Sequence, residues 1–431
     1  MTLSEAIMNT KELISYIADG KLDSRLAALY GEAKIMLQRA RYTEAIKEYE
    51  RLYGESEVSL FSVPGRSEIS GNHTDHNRGR VIAASIDLDI IAVAAKREDD
   101  MISVTSKGFT PDNVKLNNLI PDKDDYGKSY ALIAGVADGF VKSGYNIGGY
   151  NAYTTSNVFK GSGLSSSAAF EVMIGNILNH FYNDGVVKSP RIAQIAQYAE
   201  NVFFGKPCGL MDQMACAVGG FITIDFADRD DPKIDAPAFD LTAHGYSLCI
   251  VNTGGNHTDL TDDYAAIPAE MKAVAGYFGR DVLGDITDTE VIENIPVLRE
   301  KFGDRAVLRA LHFIDENKRV DRQVACLAED DLDGFFEGVM ASGDSSFRLL
   351  QNIFATKNVA EQGLTLALEM TKRALDGKKA AWRVHGGGFA GTIQAFVPND
   401  EVEAYKAYIE KVFGEGNCHI LMVRREGAVR V

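Results

Sequence analysis

The sequence predicts an α+β fold, and three observations carry that prediction. Stretches with strand character and stretches with helical character come in blocks, without a regular β-α-β alternation. The 431 residues are enough for two domains of ordinary size. No low-complexity linker separates them, so the domains are expected to pack closely.

The elements follow in order. Residues 1–56 read as helical; from Ala40 to Gly54 the apolar positions recur at helical spacing and the run stops on glycine. That run is similar to half of a helical repeat, but one copy cannot build a solenoid. Residues 58–63 alternate as a strand does, with a break expected at Pro64-Gly65. Residues 81–96, rich in Val, Ile and Ala, read as buried strand, and 150–155 as another. Helices are expected over 168–182 and 192–202, and strands over 219–225 and 246–252. Residues 262–381 read as mostly helical. A glycine-rich turn runs into a strand over 384–396, and 418–424 form the last strand. A helical extension is expected over 1–38, a first domain over 39–245 and a second over 246–431.

Composition excludes several classes. Hydrophobic content of 45% and charged content of 25% are those of a globular protein. The apolar run 90–95 is too short to cross a bilayer, and the N-terminal stretch with Glu5, Lys11 and Glu12 lacks the apolar core of a secretory signal. A net charge of −16 repels nucleic acid and anionic membranes, so neither is an expected partner. Any anionic substrate then needs a local basic pocket or a metal ion. The five cysteines, at 208, 216, 249, 326 and 418, form no Cys-x-x-Cys pair. Reduced thiols in the cytoplasm are expected, with no zinc site.

Four segments concentrate chemistry. Residues 160–171, Lys-Gly-Ser-Gly-Leu-Ser-Ser-Ser-Ala-Ala-Phe-Glu, place Gly161, Ser162, Gly163, Leu164, Ser165, Ser166 and Ser167 before a helix. Glycines allow close backbone approach, and a helix N-terminus favours an anion, so a phosphate site is expected. The segment is neither a Walker A loop nor a dinucleotide fingerprint. The plain alternative is a flexible loop with a serine cap. Residues 63–79 place Arg66, Asn72, His73, Asp75 and His76 directly after a strand. They suit hydroxyl and anion binding, or simply an exposed Asx-rich turn. Residues 205–214 set Asp212 among apolar neighbours, either as a group that orients a hydroxyl or as a helix cap. Residues 383–392 put four glycines in six positions, for close approach to a ligand or for a hairpin turn. His73, Asp75 and His76 do not make a zinc site, since neighbours in one loop rarely converge on a metal. Trp382 reads as core. The absence of a Gly-x-Ser-x-Gly elbow leaves a serine hydrolase unsupported.

Taken together and in this order, these segments resemble those of the galactokinase family within the GHMP kinase superfamily. That family has Pro-Gly-Arg-Val-Asn-Leu-Ile-Gly-Glu-His-Thr-Asp-Tyr-Asn, matched from Pro64 to Asn77; Gly-Leu-Ser-Ser-Ser-Ala, matched from Gly163 to Ala168; Cys-Gly-Ile-Met-Asp-Gln, matched from Cys208 to Gln213; and Gly-Gly-Gly-Phe-Gly-Gly, matched from Gly386 to Gly391. The resemblance spans residues 40 to 431. It implies two α+β domains with the active site in the cleft between them. It also implies transfer of the γ-phosphoryl of ATP to the anomeric hydroxyl of a sugar, with D-galactose the first expectation. By position, Asp212 and Arg66 are the implied catalytic pair and residues 161–167 the implied ATP-binding loop. Ser167 and Glu200 are the implied Mg²⁺ ligands. Asn72, His73, Asp75, Asp212 and Tyr264 are the implied sugar contacts. The other expected readings are a kinase for a related sugar such as galacturonate, a non-catalytic sugar and ATP sensor, and another GHMP kinase acting on mevalonate or homoserine.

Three departures bear on the substrate. Ser67-Glu68 replace the family's Val-Asn, His76 its Tyr, and Asn72 its Glu. That Glu lies near the hydroxymethyl end of galactose in the family. Asn72 keeps hydrogen bonding and removes a charge, so a sugar carboxylate is expected to meet less repulsion there. The plain alternative is that Asn72 bonds the galactose O6 hydroxyl.

Overall fold

The computed structural model describes residues 8–158, 164–206, 208–228, 232–255 and 260–431, without the side chain of residue 261. Its strands are β1 (Met8–Asn9), β2 (Glu57–Ser70), β3 (Arg80–Lys96), β4 (Met101–Ser106), β5 (Asp112–Lys115), β6 (Tyr150–Ser156), β7 (Phe221–Asp225), β8 (Lys233–Asp235), β9 (Tyr246–Asn252), β10 (Ala381–His385), β11 (Thr392–Pro398), β12 (Cys418–Leu421) and β13 (Val429–Arg430). The larger sheet runs β1-β2-β3-β6-β4-β5, with β13 joined to β2 and β7 and β8 branching from β3. Among the described residues, only β4 and β6 pair in parallel. The smaller sheet runs β10-β11-β9-β12, wholly antiparallel.

Both faces of the larger sheet are covered, which explains why β3 is apolar almost throughout. On one face, α1 (Thr10–Ala18), α2 (Asp23–Tyr30) and α3 (Ile35–Tyr53) pack Leu26, Tyr30, Ile46 and Tyr49 against Leu60, Ile91, Val93 and Tyr153. On the other, α4 (Ser129–Lys142), α5 (Ser166–Tyr182), α6 (Ser189–Tyr198) and α7 (Met211–Val218) meet Phe61, Val63, Ala92 and Ala94. Alternate residues of β2 and β3 thus serve opposite cores.

The second half adds α8 (Thr261–Tyr277), α9 (Asp288–Glu293), α10 (Ile295–Ala328) and α11 (Leu332–Ser345), followed by α12 (Gly363–Ala374) and α13 (Val402–Phe413). Helices α12 and α13 cover one face of the smaller sheet. Phe335, Phe336 and Val339 of α11 meet its other face at Leu248, Ile250 and Phe396, and this core is continuous with that of the larger sheet. No helix among the described residues is long and apolar enough to cross a membrane.

Several expected boundaries move. The strand expected to end at Pro64-Gly65 continues to Ser70; register shifts between Pro64 and Arg66, and between Glu68 and Ser70, accommodate the proline as a bulge. The helix expected over 192–202 ends at Tyr198 and continues as a π turn, Ala199–Phe203, which carries Glu200. Residues 8–9, inside the stretch expected to be helical, form an edge strand on β2. The strand expected over 418–424 stops at Leu421, and a later strand, β13, returns to β2.

Candidate functional site

The site is assembled around the end of β2. Arg66 and Glu68 lie between the two bulges in regular register with Ser85 and Ala83, so they share one face of the strand. Gly65 lets another segment approach: a Cβ there would stand 2.9 Å from the Leu164 carbonyl oxygen, which accepts the Arg66 N–H at 3.3 Å. This contact fixes the segment that leads into α5. Ser165, just before α5, adopts φ +56°, a left-handed conformation costly for a residue with a Cβ. Its hydroxyl donates to Asp212 Oδ2.

Asp212 sits in the first turn of α7, whose cap is Leu210, so capping is not its role. Arg66 Nε donates to Asp212 Oδ1 at 2.8 Å. Burial pushes the Asp212 carboxyl upward, but the Arg66 charge and hydrogen bond, with Ser165 and Lys206, outweigh it and hold its pKa below the ordinary value.

A cavity of about 240 Å³ opens beside this pair, lined by Glu68, His73, Asp75, His76, Cys208 and Asp212 among others. Gly209 faces Asp75; a Cβ at Gly209 would meet Asp75 Oδ2 at 2.5 Å. His73 Nε2 lies 2.9 Å from the Gly387 carbonyl oxygen. Burial lowers the His73 pKa to about 4, so the ring is neutral. A carbonyl only accepts, so Nε2 carries the proton and Nδ1 is left as an acceptor.

A second cavity, about 520 Å³, reaches the start of α5, lined by Ser166, Ser167, Phe170, Phe109, Leu132 and Phe204 among others. Beside it, Ser167 Oγ donates to Glu200 Oε1 at 3.4 Å, and Lys206 Nζ lies 3.0 Å from the same oxygen. Gln213 Nε2 bridges Glu200 at 2.8 Å and Glu171 at 3.1 Å. Glu171 Oε1 is buried without a hydrogen-bond partner.

The loop between β2 and β3 is held from a distance. Glu316 of α10 accepts the Gly71 N–H at 3.0 Å, the Asn72 N–H at 3.3 Å and the Ser342 hydroxyl at 2.5 Å. His312 bridges the Ser345 hydroxyl and the Asn72 carbonyl, at 2.8 and 2.9 Å.

Two family models match this arrangement: the GHMP kinases N terminal domain over residues 131–220, and the galactokinase galactose-binding signature over residues 47–96. A galactokinase of Streptomyces coelicolor is 30% identical over 372 residues, 85% of this chain and 91% of the relative. One from Glaesserella parasuis is 32% identical, over 84% of this chain and 91% of the relative. The chain belongs to the galactokinase family. In fold it resembles the structure of Lactococcus lactis galactokinase complexed with galactose, with a TM-score of 0.76 at 22% identity over 91% of this chain and all of that one. It also resembles Methanococcus jannaschii mevalonate kinase, with a TM-score of 0.60 at 15% identity over 84% of this chain and 98% of that one.

Within this galactokinase scaffold, Arg66, His73, Asp75 and Asp212 converge on one cavity and its rim, and Ser167 stands beside Glu200. Residues 161–163 of the expected phosphate loop lie outside the described residues. Tyr264 is not among the cavity-lining residues; its hydroxyl donates to the Gly388 carbonyl at 2.7 Å, and its ring packs under Gly387.

Asn72 corrects an expectation. It is fully buried, with its amide donating to Glu68 Oε1 and to the Gly386 carbonyl, each at 2.8 Å. Its carbonyl oxygen accepts from Asn352 at 2.8 Å and from Ser346 at 3.3 Å. Its hydrogen-bonding capacity is thus filled by the protein. Nor is the negative charge removed, because Glu68 supplies a carboxylate in the cavity wall. Glu68, Glu316 and Asn352 were not singled out as site residues by sequence reasoning. Only the Asn-to-Glu departure at position 68 signalled the first of them.

Proposed function

We propose that this protein is an ATP-dependent galactose 1-kinase. The observation that carries the reading is that Asp212, held by Arg66 and Ser165, lines a small cavity with Glu68, His73 and Asp75, while Ser166 and Ser167, next in the chain to Ser165, line a larger and partly aromatic one. The sugar occupies the first and the nucleotide the second. The named activity of the relatives supports the sugar, and the galactose-binding signature covers β2, β3 and the loop between them.

Asp212 accepts a hydrogen bond from the anomeric hydroxyl and aims its oxygen at the γ-phosphorus. A carboxylate held below its ordinary pKa is a weak base, so orientation is its main contribution; it takes the hydroxyl proton late, as the new O–P bond forms and the bond from the γ-phosphorus to the departing ADP oxygen breaks. Arg66 keeps Asp212 ionised and offsets charge on the transferring phosphoryl group. The start of α5, with Ser166 and Ser167, and residues 161–163 hold the phosphates.

Ser167 and Glu200 suit Mg²⁺: hydroxyl and carboxylate oxygens are hard donors, and the buried Glu171 Oε1, with no hydrogen-bond partner among the described residues, leaves an oxygen acceptor unfilled close by. When bound with ATP, the ion neutralises charge on the β- and γ-phosphates. The proposed division at residue 245 is supported by β9–β12 forming a sheet of their own, whereas α3 runs unbroken across residue 38 and joins the helical extension to the first domain. Five free cysteines support a reducing, cytoplasmic setting.

The test is ADP release from ATP·Mg²⁺ with D-galactose, D-galacturonate, L-arabinose, N-acetylgalactosamine and mevalonate. Galactose turnover that is lost in Asp212→Ala supports the reading. ATP and sugar binding without turnover makes the protein a sensor.

A further inference from the structure

The sugar cavity has an acceptor that the resembled motif does not have at its position. Glu68 lines the cavity and is 7% exposed. Both hydrogen bonds it accepts among the described residues land on one oxygen: Oε1 takes Asn72 Nδ2 at 2.8 Å and Arg383 Nη2 at 3.1 Å. Oε2 is the acceptor left over. Arg383 is fully buried and also donates to the Ile69 carbonyl at 3.0 Å, so the carboxylate is braced from behind. A side chain fixed in this way offers its remaining lone pairs at little entropic cost.

Asn72 is the brace on the other side. With its amide and its carbonyl bonded inside the protein, it has no donor for a sugar. Relative to the motif quoted above, the carboxylate and the carboxamide have exchanged places across four residues. The exchange preserves one carboxylate near the cavity and relocates it onto β2, on the same face as Arg66.

The charges around the cavity then decide what it admits. Glu68, Asp75 and Asp212 line it, and the two guanidiniums at hand are each taken up by a carboxylate, Arg66 by Asp212 and Arg383 by Glu68. A neutral polyol can donate hydroxyl hydrogens to these oxygens, whereas a sugar carboxylate meets like charge. We infer that Glu68, with Asn72 as its positioning residue, is the specificity-determining carboxylate of the sugar cavity, accepting a hydroxyl hydrogen of a neutral hexose and excluding hexuronates. This rests on the galactose-kinase reading and reverses the expectation that Asn72 opens the site to galacturonate.

The test compares wild type with Glu68→Gln, both checked by thermal melting, using D-galactose and D-galacturonate in the ADP-release assay. The expected result is a rise in galactose KM of about ten-fold or more with kcat within about three-fold. The kcat/KM ratio of galacturonate to galactose should rise by about ten-fold or more. A merely structural role would not move that ratio. A folded Glu68→Gln with wild-type KM and wild-type ratio overturns the inference, as does a wild type that prefers galacturonate. Should Gln alone unfold the protein, the pair Glu68→Gln with Arg383→Met removes both buried charges and is read in the same way. If wild type binds galactose without turnover, the kinase reading fails by itself. Calorimetric Kd values for galactose and galacturonate in both proteins then decide the role of Glu68.

Discussion

Glu316 Oε1 accepts the backbone N–H of Gly71 at 3.0 Å, across 245 positions of sequence. One carboxylate of α10 thereby holds the start of the loop that carries His73 and Asp75. Burial pushes the Glu316 pKa upward, but His312, Arg319, Arg383 and the Ser342 hydroxyl overcome that and bring it down to about 2. A carboxyl lowered from 4.5 stabilises the fold above pH 4.5, and the contribution is lost as pH falls toward 2. Its size is about 3 kcal/mol. Glu316→Gln is expected to lower stability at pH 7 by roughly that amount and to flatten the loss between these pH values. Denaturant titrations of both proteins over pH 2–7 measure this; parallel acid limbs would count against it.

Asp212→Asn keeps the shape of the side chain and removes its charge. Turnover is expected to fall by about 10²–10⁴, the range for a lost general acid–base or orienting group. Calorimetric affinity for ATP·Mg²⁺ should stay within about three-fold, because Asp212 faces the sugar cavity. A variant retaining a tenth of wild-type kcat would remove Asp212 from the reaction.

Arg66 contacts Asp212 through Nε. Lysine lacks that planar donor and cannot hold the same geometry. Arg66→Lys is expected to lower kcat by about 10²-fold or more, with galactose KM changed far less. Steady-state kinetics with galactose as the varied substrate reads both parameters.

Asp89 ties the helical extension to the sheet. Its carboxylate receives Arg41 Nη1 and the Tyr30 hydroxyl, each at 2.5 Å, and lies 3.5 Å from the buried Arg424. Burial raises its pKa, and the two arginines more than reverse that. Asp89→Ala leaves Arg424 buried without its anion and is expected to cost about 3–5 kcal/mol. Galactose KM should be unchanged in the folded variant, since Asp89 does not line the sugar cavity. Chemical denaturation together with KM checks both halves.

The strongest elements were legible because their signals are local. Residues 246–252 carry the short apolar run Leu-Cys-Ile-Val and end at an asparagine turn, and β9 has those bounds. The strand over 81–96 is apolar because both of its faces are covered. The proline in β2 misled for an equally local reason: Pro64 reads as a breaker, and only its pairing with Asp89 beside a register shift reveals a bulge. Strands β4 and β5 are only six and four residues long, and they were not anticipated.

By itself the sequence determined which chemical groups the site would contain. Arg66, His73, Asp75, Ser167 and Asp212 lie in short segments whose composition carries their chemistry, whereas Glu200 was named only through the family resemblance. The tertiary structure decided which of the neighbouring groups line the cavity. Asn72 and Glu68 are four residues apart, and no periodicity distinguishes the one that lines the cavity. That choice depends on Asn352, Ser346 and Gly386, which fill the hydrogen-bonding capacity of Asn72, and on Arg383, which braces Glu68. All of these come from the far half of the chain. A buried amide satisfies its donors wherever partners are placed, and only the folded chain places them.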